Sequence, residues 1–232
     1  MAEQLRVGGF VPLTTLDYPD HLSCVVFCQG CAWRCRYCHN PDLIPPRAQQ
    51  MHSWESILEF LQRRQGLLEA VVFSGGEATL QQALKPAMQE VKKLGFKVGL
   101  HTAGINPKAL ERVLPECDWV GFDVKALAEN TELITGVPGS GQANWQCLDL
   151  LLASGIDYEC RTTVHWDLLD PQGLLQLAQR LSARGVAHFV VQHVRTQGML
   201  DEQLTEHNAN LGTQALWHDI STLFSSFVRR ND

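Results

Sequence analysis

Six short apolar runs alternate with five stretches of helical periodicity along the 232 residues, and that alternation limits the possible folds more than any other feature. The runs lie near residues 23–27, 70–73, 97–101, 119–122, 158–164 and 188–192. Helical spacing occupies residues 54–64, 80–94, 107–113, 143–153 and 171–183. Asp170-Pro171 supplies a capping carboxylate and a first-turn proline, while Gly95, Gly155 and Gly185 stand where helices should stop. Strand, helix, strand in succession implies parallel strands joined by right-handed crossovers, in an open doubly wound sheet or a full or partial barrel. In either case the functional residues belong at the carboxyl ends of the strands.

With 45% hydrophobic and 19% charged residues and no apolar run near 18 residues, the chain reads as one soluble globular domain. A net charge of -6 argues against general nucleic-acid binding, which needs a basic surface. The opening Met1-Ala-Glu-Gln-Leu-Arg6 lacks the apolar segment of a secretory signal, so reduced thiols, a cytoplasmic setting and no membrane association are expected.

Five cysteines, Cys24, Cys28, Cys31, Cys35 and Cys38, present the same spacing twice, as Cys24/Cys28/Cys31 and as Cys31/Cys35/Cys38. Residues 22–28 are apolar and β-branched, so they read as a buried strand that holds Cys24 and Cys28 apart on alternate faces. Gly30 ends that strand, and the later triplet lies in a segment of arginines, aromatics and the turn signal Asn40-Pro41. Cys31, Cys35 and Cys38 are therefore the candidate ligands. Three thiolates from one loop can hold a cubane four-iron four-sulfur cluster and leave one iron open. A zinc site from Cys28, Cys31, Cys35 and Cys38 is the alternative, although paired zinc knuckles usually stand farther apart. Cys117, Cys147 and Cys160 occur singly and read as small buried hydrophobes.

The second run ends in Phe73-Ser-Gly75-Gly76-Glu77-Ala78-Thr79. Successive glycines after a strand let a backbone approach a ligand closely, and Glu77 adds an acceptor for a cation. Equally, the segment reads as a tight turn whose Glu77 assists a helix N-terminus.

These motifs together resemble the radical S-adenosylmethionine superfamily: Cys31-x3-Cys35-x2-Cys38 with Tyr37 before the last cysteine, then Gly75-Gly76-Glu77 at a strand end. More narrowly, residues 8–19, Val25-Val-Phe-Cys-Gln-Gly-Cys31 and Tyr37-Cys-His-Asn-Pro41 resemble the activating proteins of anaerobic ribonucleoside-triphosphate reductase. The likeness continues through His101-Thr-Ala-Gly104, Asp118-Trp-Val-Gly-Phe-Asp123-Val-Lys125, Thr135-Gly-Val-Pro-Gly139 and Arg161-Thr-Thr-Val-His165, as far as about residue 197. It implies an α/β fold, a partial (β/α)6 TIM-like barrel with the cluster loop after the first strand. Residues 1–21 would be an N-terminal extension, 22–197 the core and 198–232 a C-terminal helical tail of one domain.

The resemblance also implies an oxidoreductase whose cofactors are one four-iron four-sulfur cluster, on Cys31, Cys35 and Cys38, and S-adenosylmethionine. Reductive cleavage of S-adenosylmethionine would yield a 5′-deoxyadenosyl radical and, in the reductase, a glycyl radical. A small-molecule enzyme resembling 7-carboxy-7-deazaguanine synthase is the alternative. Glu77 with the backbone of Gly75 and Gly76 suits the ammonium of S-adenosylmethionine. Lys125 or Arg161 suits its carboxylate, with the guanidinium fork favouring Arg161. Tyr37 would lie against adenine or pack the cluster loop, and Thr102 and Asp123 match family positions around the cofactor. His193 and Arg195 also follow a strand; with nine histidines in the chain His193 reads first as an ordinary polar residue, and contact with cofactor or partner is the alternative. Two positions depart from the pattern. Ala78 stands where proline is common, and His101 stands where glycyl-radical activases often have an acid, so a cation site of those relatives lacks that ligand here. No second cysteine group exists, so flavodoxin or ferredoxin would deliver the electron.

Overall fold

The computed structural model describes residues 1–48, 52–195, 197–205 and 213–230. The six expected strands are present as β2 (Ser23–Cys28), β3 (Ala70–Gly75), β4 (Lys97–Thr102), β5 (Trp119–Asp123), β6 (Asp157–Val164) and β7 (His188–His193). Two more flank them, β1 (Val7–Thr14) and β8 (Ser226–Arg230). All eight form one sheet in chain order; β1 runs antiparallel to β2, and every later neighbour is parallel. Among the described residues β1 and β8 terminate the order without pairing to each other, so the α/β sheet is an unclosed barrel of eight strands rather than six.

Both additional strands are edges, which explains why their sequences were mute. Gly8, Gly9 and Pro12 break the period of β1, and an edge strand tolerates them because β2 is the only strand that pairs with it among the described residues, beyond one bridge from Val7 to His52. Five residues, Ser226-Phe-Val-Arg-Arg230, are too few to display a period. The expected N-terminal extension thus contains β1, and the expected helical tail contains β8 after a single described helix, α7 (Thr213–Ser221). Residues 206–212 and 231–232 of that tail lie outside the described residues.

The outer layer comprises α1 (Trp54–Gln62), α2 (Leu84–Lys93), α3 (Pro107–Val113), α4 (Thr131–Thr135), α5 (Ser140–Ser154) and α6 (Pro171–Ala183). Local chemistry opens three of them. Ser53 Oγ accepts from Ser56 N at 3.1 Å, Asn106 Oδ1 from Ala109 N at 3.2 Å, and Asp170 Oδ1 from Gly173 N at 2.7 Å. Such caps each contribute about 1 kcal/mol. The second helix starts at Leu84 rather than at residue 80, because Ala78–Leu80 forms a 3-10 turn behind Glu77. No described helix is long and apolar enough to cross a membrane.

The main core lies between sheet and helices, where Val26, Phe73, Leu100 and Phe122 meet Trp54, Leu84, Met88 and Leu110. Cys24 and Cys28 join this same core. The expectation of alternate faces is therefore corrected: a period of two puts residues 24, 26 and 28 on one side of the strand. On the concave side Tyr18, from the loop after β1, packs with Val25, Val72 and Trp119 and stacks on Trp119 at 5.1 Å. Gly99 makes room for it, since a Cβ there would lie 3.1 Å from the Tyr18 ring. Tyr18 fills the barrel towards the strands' amino ends, leaving polar groups to line the carboxyl ends.

Candidate active site

Cys31, Cys35 and Cys38 are free and partly exposed in the loop after β2, whereas Cys24, Cys28, Cys117, Cys147 and Cys160 are free and buried. Gly30, at φ +100°, turns the chain out of the strand. The loop is then anchored through its backbone: Cys31 N donates to Ile44 O at 3.0 Å, Arg34 N to Thr135 O at 3.1 Å and Arg36 N to Ile134 O at 2.9 Å. Trp33 N already points at Cys31 Sγ, 3.4 Å away, the kind of amide contact that tunes a metal-bound sulfur. Burial pushes the Cys31 thiol up to about 12 and raises Cys35 too, despite Lys125. These thiols need positive charge from a bound metal to ionise.

The turn after β3 lies directly against the entry to this loop. Gly76 N donates to Cys28 O and Glu77 N to Gly30 O, both at 2.9 Å. Gly75 is at φ +116°, and a Cβ on it would stand 2.3 Å from Cys28 N; one on Gly76 would stand 2.5 Å from Gly30 O. Only glycine permits that approach. Glu77, 1% exposed, directs its carboxylate inward. Its Oε1 accepts from Thr79 N, Thr79 Oγ1 and Thr102 Oγ1 at 3.2, 2.6 and 2.7 Å, and its Oε2 from Ala103 N at 3.0 Å. Thr102, also buried, accepts in turn from Gly104 N at 3.0 Å. Glu77 and Thr102 thereby stitch the end of β3 to the end of β4.

Asp123, at the end of β5, joins the remaining expected residues. Lys125 Nζ donates to its Oδ2 at 2.9 Å and Arg161 Nε, from β6, to its Oδ1 at 3.1 Å. Burial would raise Asp123, but Lys125 and then Arg161 outweigh it and hold the carboxyl down at about 2. Burial would likewise neutralise Lys125, yet the Asp123 charge more than offsets this and keeps it a cation. Arg161 is further committed: Nη2 donates to Gly121 O at 3.1 Å, and Nη1 lies 3.3 Å from His101 Nε2. The guanidinium covers Gly121 so closely that a Cβ there would meet its central carbon at 2.7 Å. Burial, reinforced by Arg161, holds His101 neutral down to about pH 3, with Nε2 2.8 Å from Asp17 O. Lys125 Nζ also sits 5.6 Å from the Tyr37 ring centroid, connecting this group to the cluster loop. Tyr37 is buried with Ala126, Ile134, Met199 and Leu204. His193 lies apart, 5.6 Å from Trp166 and 6.1 Å from Trp217.

Sequence reading overlooked three residues. Buried Asn144, on α5, donates to Ala103 O at 2.7 Å and Asp123 O at 2.9 Å, clamping the ends of β4 and β5. Arg230 of β8 pairs bidentately with Glu159 of β6 at 2.7 and 2.9 Å. Alternating polar residues in β6, Glu159, Arg161 and Thr163, were the available signal for an inward polar face.

No group of three His, Cys, Asp or Glu among the described residues is arranged around a single metal ion. A cubane asks for a different arrangement, because each thiolate binds its own iron and the sulfurs stand apart. The zinc alternative also requires Cys28, which lies in the helix-side core. Three partly exposed thiols on one anchored loop fit a cluster.

A family model described as the Radical SAM superfamily matches residues 25–191. The chain belongs to the radical S-adenosylmethionine superfamily. It is therefore an S-adenosylmethionine-dependent enzyme whose cofactors are a four-iron four-sulfur cluster and S-adenosylmethionine. A Methanocaldococcus jannaschii protein provisionally named a glycyl-radical enzyme activating enzyme is 28% identical over 206 residues, 85% of this chain and 83% of that protein. The pyruvate formate-lyase-activating enzyme of Clostridium pasteurianum is 35% identical over 137 residues, but the match spans only 56% of this chain and 57% of that one. The fold is shared with Streptococcus suis SuiB bound to S-adenosylmethionine, at TM-score 0.66 and 13% identity, covering 88% of this chain and 48% of SuiB. It is also shared with anSMEcpe bound to the same cofactor, at TM-score 0.60 and 14% identity over 83% of this chain and 55% of that one.

Proposed function

We propose that this chain is a cytoplasmic activating enzyme that generates a glycyl radical on anaerobic ribonucleoside-triphosphate reductase, drawing its electron from a flavodoxin or ferredoxin. The observation that carries the activase reading is the match to a protein named for glycyl-radical activation over 85% of this chain. The choice of reductase rests on the motif likeness at residues 8–19 and 135–139. Pyruvate formate-lyase is the second reading, favoured by the Clostridium pasteurianum relative.

When bound, the cluster and S-adenosylmethionine supply the electron and the 5′-deoxyadenosyl radical; the protein binds, orients and excludes water. Cys31, Cys35 and Cys38 hold the cluster. Gly75 and Gly76 bring backbone carbonyls to the cofactor's ammonium, and Glu77 holds that turn through Thr79, Thr102 and Ala103. Lys125 or Arg161 meets the carboxylate, each already giving one hydrogen bond to Asp123. Asp123 orients both cations and balances their charge. Tyr37 packs beneath Lys125 and keeps water from the loop.

The test is electron paramagnetic resonance after incubating reduced, reconstituted protein and S-adenosylmethionine with either glycyl-radical enzyme. A glycyl signal on the reductase, with none on the lyase, is expected. The reverse pattern transfers the activity to pyruvate formate-lyase, and cofactor cleavage with no radical on either protein supports the small-molecule enzyme.

A further inference from the structure

A segment far away in sequence lies along the cluster loop. Leu200 N donates to Cys38 O at 3.0 Å and Asp201 N to Arg36 O at 2.9 Å. The side chains repeat the connection, with Arg36 Nε donating to Asp201 Oδ2 at 2.7 Å. Asp201 is itself held by its own turn: Gln203 N donates to Oδ1 at 3.0 Å and Leu204 N to Asp201 O at 3.2 Å. Met199 and Leu204 pack on Tyr37, the residue between Arg36 and Cys38. On the opposite flank, the amides of Arg34 and Arg36 are taken by Thr135 and Ile134. Residues 34–38 therefore run between two supports. The support from residues 199–204 engages the carbonyls on either side of Tyr37.

A lone exposed ion pair contributes little, and these side chains are 42% and 21% exposed. Here the pair closes a ring with two backbone hydrogen bonds, so its geometry is imposed and its charge-assisted bond is retained. We infer that residues 199–204, through Asp201, position the peptide planes between Cys35 and Cys38 and so determine how firmly the iron-sulfur cluster is held. Asp201 is a positioning residue that acts through Arg36. The inference rests on Cys31, Cys35 and Cys38 being the ligands, and is independent of which partner receives the radical.

The experiment uses the full chain, reconstituted anaerobically, as wild type, Asp201→Ala, Arg36→Ala, the double variant and the exchange Arg36→Asp with Asp201→Arg. Iron transfer to a coloured ferrous chelator is timed, and the reduced cluster's paramagnetic spectrum is recorded without S-adenosylmethionine. Each single variant should lose iron about tenfold faster, and the double variant should be no worse than either single. The alanine variants should show altered g-values, and the exchange should restore both readouts. Wild-type release rates in Asp201→Ala, additive effects in the double variant, or no recovery in the exchange would overturn the inference. A wild-type chain that takes up no iron would overturn the ligand assignment itself, a separable failure.

Discussion

Asp123 shows how much of the site depends on one carboxylate set between two cations. Removing one member of such a buried group leaves the others uncompensated, at about 3–5 kcal/mol. Asp123→Ala should therefore lose about 3 kcal/mol of unfolding free energy in urea and weaken S-adenosylmethionine binding in calorimetry. The pH dependence has two windows. Asp123 is depressed from 3.8 to about 2, so its contribution is complete above 3.8 and is lost as pH falls through 2. His101 is depressed from 6.5 to about 3, so its contribution is complete above 6.5 and declines as pH falls from there towards 3. Between pH 6.5 and about 5, His101 alone of these two should remove about 2 kcal/mol from the wild type. His101→Gln should abolish that share of the decline, as urea titrations at the two pH values would reveal. The loop of Cys31, Cys35 and Cys38 was legible as a local pattern. Glu77's partners were not, because Thr102 and Ala103 come from the next strand's end, and the Arg230 partner of Glu159 lies 71 residues away.

Among the elements, those marked by local chemistry were legible: Asp170-Pro171 opens α6 as its sequence states, and Gly155 and Gly185 follow helices at positive φ. Edge strands β1 and β8 were not, since their pairing comes from a neighbour and not from their own period. The turn after β3 makes a strict demand. Gly76→Ala would drive a Cβ into Gly30 O, displacing the Glu77 N contact that seats the cluster loop. It should cost about 2 kcal/mol in thermal or urea unfolding and lower iron uptake. Gly136→Ala is the control: φ is +68° but nothing lies within 4 Å, so only backbone strain of about 1 kcal/mol is expected, with iron uptake unchanged.

On the scale of the whole molecule, alternation of strand and helix sufficed for the parallel order and for a site at the strands' carboxyl ends. Whether the sheet closes was beyond it, because closure depends on how edge strands β1 and β8 meet. The resulting architecture brings residues of five strands to one place: the cluster loop after β2, the double glycine from β3, Thr102 from β4, Asp123 from β5 and Arg161 from β6. We propose that this convergence cleaves S-adenosylmethionine at a cluster held by Cys31, Cys35 and Cys38. The direct measurement is mass-spectrometric quantification of 5′-deoxyadenosine from dithionite-reduced protein, for wild type and for alanine variants of Cys28, Cys31, Cys35 and Cys38. Product from the wild type and Cys28→Ala, with none from the other three variants, is predicted. Product from Cys35→Ala at the wild-type rate, or its loss in Cys28→Ala despite native folding, would rule out Cys31, Cys35 and Cys38 as the ligand set.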